Sequence, residues 1–236
     1  MNISILKTKN FNQVNTRDSA INYSLFKAKF ISGISIIFLR IKMRLRLLRL
    51  IVASYVNPID WIKALKYLIS LRKNVLGTPR IKKLVKVNDK YYMGIYTSSW
   101  FSKGFDQFIY SHLNDFKPIK KKIQRFSMVF ISVTKTCPYH CEHCYDWNNI
   151  NGESRKPTIN LFGVIQKIQK LGVGHIQFLG GEPLLEYKKI MEVVKSTKSV
   201  SDFWITTSGF SLSQLKANQL KAAGISGIII SLDHYN

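Results

Sequence analysis

The strongest constraint on the fold is a regular alternation of strand-like and helix-like segments in residues 126–236. The predicted strands are Ser127–Val133, His175–Leu179, Phe203–Thr206 and Gly227–Leu232, and the predicted helices are Thr158–Leu171, residues 183–198 and residues 211–223. This alternation predicts parallel strands joined by helical crossovers. The special loops follow the carboxyl ends of the strands, where such folds place their sites. We therefore expect an α/β fold, a sheet or barrel segment of about four strands, with its site at that edge.

The cysteines lie in one short loop after the first of these strands. They are Cys137, Cys141 and Cys144, and the chain has no others. An odd, clustered set excludes a disulfide framework and favours a reducing compartment. Three neighbouring thiolates suit one soft metal centre.

Three interpretations of the loop remain open on the residues alone. On an iron–sulfur cube, which is usually held by four ligands, three cysteines would leave one iron free to bind a cofactor or substrate. A zinc site would use His140 or His143 as a fourth ligand, although zinc sites tend to use two separated cysteine pairs. Inert thiols are the third possibility, and the spacing favours the cluster.

The loop and a second motif resemble the radical S-adenosylmethionine (radical SAM) superfamily. Its C-x3-C-x2-C signature is matched by the three cysteines, and its Gly-Gly-Glu-Pro motif after the second strand by residues 180–183. The resemblance implies that Gly180, Gly181 and Glu182 bind the methionyl amino end of the cofactor. It also places His143 beside the cofactor, at a position that is commonly aromatic in the family. We therefore expect a Gly181 substitution to weaken cofactor binding and leave the cluster in place.

Two further strand ends carry the same resemblance. Residues 206–209 are similar to a Thr-Asn-Gly turn, with Ser208 in place of asparagine, and residues 231–233 are similar to a Ser-Leu-Asp ending whose serine, here Ser231, approaches the cofactor. The wording of the motifs is most similar to the branch of molybdenum-cofactor cyclases and peptide maturases. The implied fold is a partial (βα)6 TIM-like barrel.

The resemblance implies a specific chemistry and specific cofactors. A [4Fe–4S] cluster held by the cysteines would reductively cleave S-adenosyl-L-methionine to a 5′-deoxyadenosyl radical, which abstracts hydrogen from an unidentified peptide or small metabolite. A one-electron donor similar to flavodoxin or ferredoxin is the implied partner. A non-catalytic zinc-binding or membrane-docking protein and an inactive fragment are the alternatives.

The chain ends four residues after its fourth predicted strand, at Asn236. The family barrel continues with two more strands and their helices, on the order of 60 residues at about 30 per unit. We therefore interpret the sequence as a C-terminally truncated fragment of a longer enzyme. The run Ile228–Ile230 is expected to suit burial on both faces of the sheet.

The N-terminal half is strongly basic. Residues 1–125 carry a net charge of +20, against +3 for residues 126–236. We expect a mobile tail over residues 1–22, a basic and mainly helical region with a β-hairpin over residues 23–125, and the partial barrel over residues 126–236. Residues 24–56 are predicted to be helical, and Asn88-Asp89 is predicted to be the hairpin turn.

The basic block of this half suggests a partner. Its cations are Arg40, Lys42, Arg44, Arg46 and Arg49, and apolar residues lie between them. An anionic membrane surface would use both kinds of residue, whereas nucleic acid would need only the charge, so we rank nucleic acid lower. A solvated basic surface is the third interpretation. The longest charge-free stretches are ten residues, against about 20 for a membrane span. We therefore expect a cytoplasmic protein, with a peripheral position at the inner membrane surface as the second option.

Overall fold

The computed structural model describes residues 28–76, 84–120, 126–152 and 160–232. The N-terminal part contains a small antiparallel sheet and three helices. Its elements are β1 (Ala28–Ile31), α1 (Ile34–Ser54), α2 (Pro58–Leu76), β2 (Leu84–Val87), β3 (Lys90–Tyr92) and α3 (Lys103–Phe116). The sheet order is β1-β2-β3, and the expected hairpin turn lies between β2 and β3. The predicted tail over residues 1–22 lies outside the described residues.

The prediction of one helix over residues 24–56 was wrong at its start. Strand β1 occupies Ala28–Ile31 and pairs antiparallel with β2. Gly33 separates β1 from α1 with a φ of +63°, a left-handed conformation that favours glycine and interrupts the chain before the helix. The missed signal was this glycine, and the partner strand lies more than 50 residues away, where local periodicity carries no information.

The N-terminal part has its own apolar core, formed where α1, α2 and α3 pack together. Leu39 and Ile51 of α1, Ala64 of α2 and Leu113 of α3 are buried in it. Arg46 of α1 forms an ion pair with Asp106 of α3, and the Tyr55 hydroxyl donates a hydrogen bond to the Leu113 carbonyl oxygen at 2.5 Å. A cavity of about 760 Å³ opens between these helices, and no residue of the cysteine loop lines it.

The C-terminal part is the parallel α/β unit that the alternation predicted. Its elements are β4 (Met128–Ser132), α4 (Leu161–Lys170), β5 (His175–Leu179), a 3₁₀ turn (Pro183–Glu186), α5 (Tyr187–Ser196), β6 (Asp202–Thr207), α6 (Gln214–Ala223) and β7 (Ile225–Ile230). The four strands are parallel in the order β4-β5-β6-β7. The expected α/β class, with about four strands of a partial barrel after a basic helical region, is confirmed.

One helix starts later than expected. The helix predicted over residues 211–223 begins at Gln214, and its N-cap is Ser213, whose hydroxyl accepts from the Lys216 amide. The isoleucines at 228–230 are only partly buried, and Ile230 is 49% exposed, because no described strand pairs with the outer edge of β7. Burial on both faces requires such a strand, and the run is an exposed edge without it.

The two faces of the parallel sheet differ in chemistry. Ile176, Phe178, Phe203 and Ile205 belong to the apolar core that the sheet shares with α4, α5 and α6. By the period-2 alternation of a strand, the opposite face carries polar or amphipathic side chains, the buried His175, Gln177 and Trp204 and the half-buried Thr206. The Trp204 ring lies against Gly227, where a Cβ atom would come within 2.3 Å of it.

The N-terminal part packs against the amino ends of these strands through Asp202, the first residue of β6. The Asp202 carboxylate is buried and accepts hydrogen bonds from the Ser99 amide at 2.6 Å and the Ser99 hydroxyl at 2.8 Å. Lys90 of β3 forms an ion pair with it at 3.1 Å. The contact therefore lies at the end of the sheet opposite the cysteine loop.

In the part of the chain that the structure describes, no helix combines the length and the apolar character that a bilayer span requires.

Candidate functional site

The loops that follow β4 and β5 are hydrogen-bonded to each other at the carboxyl edge of the sheet. The Gly181 amide donates to the Thr134 carbonyl oxygen at 2.7 Å, and the Glu182 amide donates to the Thr136 carbonyl oxygen at 2.8 Å. Thr136 directly precedes Cys137. The Gly-Gly-Glu-Pro segment therefore positions the start of the cysteine loop.

The two glycines of this segment are required by the close approach of the cysteine loop. A Cβ atom on Gly180 would lie 2.3 Å from the Thr134 carbonyl oxygen, and one on Gly181 would lie 2.3 Å from the Thr136 carbonyl oxygen. Gly180 also has a φ of +147°. From the sequence we expect the two glycines to bind the cofactor. In the structure they also contact the backbone of the cysteine loop.

The Glu182 carboxylate links the loops after β5 and β6. It is 1% exposed. One oxygen accepts from the Leu184 amide at 2.9 Å and the Thr207 hydroxyl at 2.5 Å, and the other accepts from the Ser208 amide at 3.0 Å and the Ser208 hydroxyl at 2.6 Å. This carboxylate is a structural link, and its contact with a cofactor stays a prediction.

The third and fourth motifs, at residues 206–209 and 231–233, follow strands β6 and β7 at the same carboxyl edge of the sheet. Ser208, which replaces the asparagine of the similar turn, donates both its amide and its hydroxyl to Glu182. The Ser231 amide donates to the Thr207 carbonyl oxygen at 2.9 Å, so the end of β7 is bonded to the turn after β6. Ser231 is exposed, and Asp233 lies outside the described residues.

The cysteine loop is open to solvent. Cys141 is exposed, Cys137 and Cys144 are half-buried, and none of the three forms a disulfide. Among the described residues, no three His, Cys, Asp or Glu side chains lie close enough together to hold a metal ion. The three predicted ligands therefore share one loop without converging on one point.

Asn151 anchors the loop at Cys137, and the sequence argument missed it. Its side-chain amide donates to the Cys137 carbonyl oxygen at 2.8 Å, and its side-chain oxygen accepts from the Cys137 amide at 2.9 Å. Asn151 has a φ of +57°, which asparagine tolerates better than most residues. The pair Asn151-Gly152 is a turn signal that marked the position.

The aromatic residues of the loop connect it to the loop after β6. The Tyr139 and Phe210 rings meet edge to face, with their centroids 5.8 Å apart. His143, predicted to lie beside the cofactor, is exposed next to Cys144, as is Tyr145 on its other side. This surface leaves His143 accessible to a ligand.

The donor set of the loop fits an iron–sulfur cluster in number and in chemistry. Three thiols are available within eight residues, and thiolates are the ligands that hold such clusters. To hold such a cluster, the loop would have to bring the three thiols together. Cys137 is the fixed end of the loop, since both Asn151 and the Thr136 contact hold it.

Comparison with known proteins shows what the C-terminal segment is similar to. The signature of the Radical SAM superfamily matches residues 131–236. The chain is similar to the probable GTP 3′,8-cyclase of Methanocaldococcus jannaschii, with 36% identity over 109 residues that cover 45% of this chain and 36% of the relative. It is also similar to the GTP 3′,8-cyclase of Clostridium acetobutylicum, with 31% identity over 119 residues, 49% of this chain and 37% of the relative.

A solved structure is similar over a comparable share of the chain. The crystal structure of BtrN in complex with AdoMet and 2-DOIA matches with a TM-score of 0.41 and 25% identity, covering 48% of each chain. The matched segment spans only about a third of the length of the curated relatives. Members of the matched superfamily use a [4Fe–4S] cluster and S-adenosylmethionine. Residues 131–236 of this chain match the model of the Radical SAM superfamily.

Proposed function

We propose that residues 126–236 hold the cluster and bind the cofactor in a radical SAM enzyme. The observation that carries the proposal is the meeting of four motifs at one sheet edge. Backbone hydrogen bonds from Gly181 and Glu182 reach the start of the cysteine loop, and the Glu182 carboxylate and the Ser231 amide reach the turn after β6. The match of the segment to the Radical SAM family model supports the same function.

Each site residue has a distinct proposed role. Cys137, Cys141 and Cys144 hold the cluster and leave one iron for the cofactor. Gly180 and Gly181 present backbone groups to the methionyl end of the cofactor. Glu182 fixes their position through its hydrogen bonds to Thr207 and Ser208. His143 and Ser231, which are both exposed, approach the rest of the cofactor.

The bound groups supply the difficult chemistry, and the chain positions them. When bound and reduced, the cluster supplies the electron that cleaves the cofactor sulfonium and generates a 5′-deoxyadenosyl radical. A flavodoxin-like or ferredoxin-like donor is the proposed source of that electron. The solvent-exposed cysteine loop gives such a donor a short path to the cluster.

The polar face of the sheet is the proposed wall of the substrate chamber. Gln177 and Thr206 are bonded to each other on this face. The Trp204 indole nitrogen is buried and has no hydrogen-bond partner among the described residues. Buried polar groups without partners are rare, which supports a role for this nitrogen in holding a polar substrate.

GTP is the first substrate to test, because the relatives with 31% and 36% identity are named GTP 3′,8-cyclases. The similarity is confined to the segment with the cofactor motifs. A small metabolite or a peptide therefore remains in the proposal beside GTP.

Anaerobic reconstitution with iron and sulfide tests the function. The reduced protein should convert S-adenosylmethionine to 5′-deoxyadenosine, as measured by mass spectrometry, and the Cys141→Ala variant should not. Adding GTP should raise the rate if it is the substrate. A colourless protein that binds one zinc ion and forms no 5′-deoxyadenosine would overturn the proposal.

A further inference from the structure

Helix α1 carries a second apolar stripe on the side opposite its buried face. The residues of this outer stripe follow one another at spacings of four and three, so they lie along one line of a helix. They are Ile34 (73% exposed), Phe38 (68%), Ile41 (48%), Leu45 (62%), Leu48 (40%) and Val52 (48%). The buried face uses Ile36, Leu39 and Met43 instead. The α1 helix therefore offers an apolar surface that the described residues leave uncovered.

Cations border the outer stripe on both sides. On a helical wheel, Arg44 lies beside one edge and Lys42 and Arg49 beside the other, and all three are exposed. The sequence alone does not distinguish the five cations of the basic block as contacts of an anionic partner. The structure reduces the set, because Arg46 is paired with Asp106 and Arg40 is half-buried.

We infer that the outer stripe and its three bordering cations dock this protein on an anionic membrane surface. A helix with an apolar stripe and Lys or Arg at its borders lies in the plane of a bilayer interface, with the apolar side chains among the acyl chains. Each cation held at the surface of an anionic membrane strengthens binding. With 21 residues at 1.5 Å each, α1 extends about 31 Å along the membrane.

A second copy of the chain suits this surface poorly. The α1 sequence contains five cations and no acidic residue. Two outer stripes packed together would bring like charges to their borders, which destabilises helix pairs. An anionic partner avoids this repulsion.

Nucleic acid is also a poorer match for this surface. Phosphate binding requires cations alone, and it would leave six apolar side chains in water. A bilayer interface takes up the apolar side chains and the cations at the same time. The inference does not depend on the proposed radical chemistry, since no residue of α1 belongs to the cysteine loop or its neighbours.

Vesicle co-sedimentation of the full reconstituted chain tests the inference. Vesicles of phosphatidylcholine alone are compared with vesicles that contain phosphatidylglycerol. Binding should be strong only with the anionic lipid and should weaken at high salt. Equal binding to both vesicle types, or none to either, would overturn the inference.

Two sets of variants separate this surface from general charge and apolarity. Lys42→Gln, Arg44→Gln and Arg49→Gln together should weaken binding by about 100-fold. Lys188→Gln, Lys195→Gln and Lys198→Gln remove the same charge from exposed positions elsewhere and should change membrane binding much less.

The apolar side chains are tested in the same way. Phe38→Ser with Leu45→Ser should weaken binding, whereas Leu185→Ser with Leu215→Ser, also at exposed positions, should not. Equal losses in both sets would contradict the inference.

The same variants identify other occupants of the stripe. Analytical ultracentrifugation of the parent should give the same mass as Phe38→Ser with Leu45→Ser. A parent dimer that becomes a monomer in this variant would show that a second copy covers the stripe. Loss of folding in the variant, detected by circular dichroism, would show that another segment of the chain covers it. Either result overturns membrane docking by this surface.

Discussion

At the scale of single residues, Gly181 distinguishes two explanations of the Gly-Gly-Glu-Pro motif. The sequence argument predicted that a substitution would weaken cofactor binding alone. In the structure, a Cβ atom at this position would lie 2.3 Å from the Thr136 carbonyl oxygen, directly before Cys137. The added atom must displace the start of the cysteine loop, next to Cys137, the first of the three proposed cluster ligands.

We therefore expect Gly181→Ala to lose iron as well as cofactor affinity. Iron content after reconstitution should fall several-fold, measured by a colorimetric assay. Gly152→Ala is the matched control in the same loop, because a Cβ atom there meets nothing within 4 Å. Full iron content in Gly181→Ala would show that the loop tolerates the contact.

Glu182 gives a second prediction at the residue scale. Glu182→Gln replaces an acceptor oxygen with a donor amide among four donors, so buried hydrogen bonds are lost. The free energy of unfolding should fall by about 2 kcal/mol, measured by urea denaturation. Glu186→Gln, on the half-buried neighbour in the 3₁₀ turn, should cost much less. Unchanged stability together with lost cofactor binding would assign Glu182 to the cofactor instead.

These residues show what the sequence could predict at the site. The positions were recognisable, since the cysteines and the glycine pair form motifs within a few residues of one another. Their contacts were not, because Glu182 bonds to residues 25 and 26 positions away. Asn151 escaped notice because a turn signal does not reveal that it anchors Cys137.

At the scale of elements, the periodicity predicted the strands and helices well where local pattern determines them. Strand β5 has the bounds that were expected, His175–Leu179. Strand β1 was missed because its pairing with β2 is a tertiary property of a four-residue segment. The outer stripe of α1 was visible as apolar spacing, but only the packing of the opposite face shows which stripe is buried.

The polar face of the sheet leads to a prediction on pH. His175 of β5 is 0% exposed and stacks on Trp204, with ring centroids 5.8 Å apart. Burial lowers the pKa of His175 below its ordinary value. The unfolded chain therefore takes up a proton near pH 6.5 while the folded chain does not, so stability is full above that pH and falls below it.

Thermal unfolding between pH 5.5 and 7.5 checks this prediction. His175→Phe, which keeps a ring on Trp204, should flatten the loss of stability on the acid side. Burial also lowers the pKa of His112. His112→Phe should therefore also reduce the loss of stability at acid pH, independently of His175→Phe. An unchanged acid slope in His175→Phe would contradict the assignment.

At the scale of the whole molecule, Asp202 holds the N-terminal part against the sheet. Its carboxylate, which is 2% exposed, bonds to Ser99, Lys90 and Ser226 from three different segments. Sequence alone gave no sign of this contact, because Ser99 lies 103 positions away. Only the folded chain reveals that the two parts share an ion pair, between the partly exposed Lys90 and the buried Asp202.

Asp202→Asn should weaken this connection. A neutral amide loses the ion pair with Lys90 and turns a donor toward the Ser99 groups. The free energy of unfolding should therefore fall by about 3 kcal/mol. Limited proteolysis should then cut faster between the two parts, near the predicted boundary at residues 125–126. Asp115→Asn, which changes an exposed carboxylate bonded to Tyr67, is the control and should leave the cleavage rate unchanged. Equal rates in both variants would show that other contacts hold the parts together.

The central claim is that the three cysteines hold a cluster whose open iron binds S-adenosylmethionine. The most direct measurement is iron and acid-labile sulfide analysis of the reconstituted chain, with electron paramagnetic resonance of the reduced protein before and after the cofactor is added. The account predicts about four iron and four sulfide per chain and a signal that shifts on adding the cofactor, with both lost in Cys141→Ala. Retention of iron and sulfide in Cys141→Ala, or a signal indifferent to the cofactor, would contradict it.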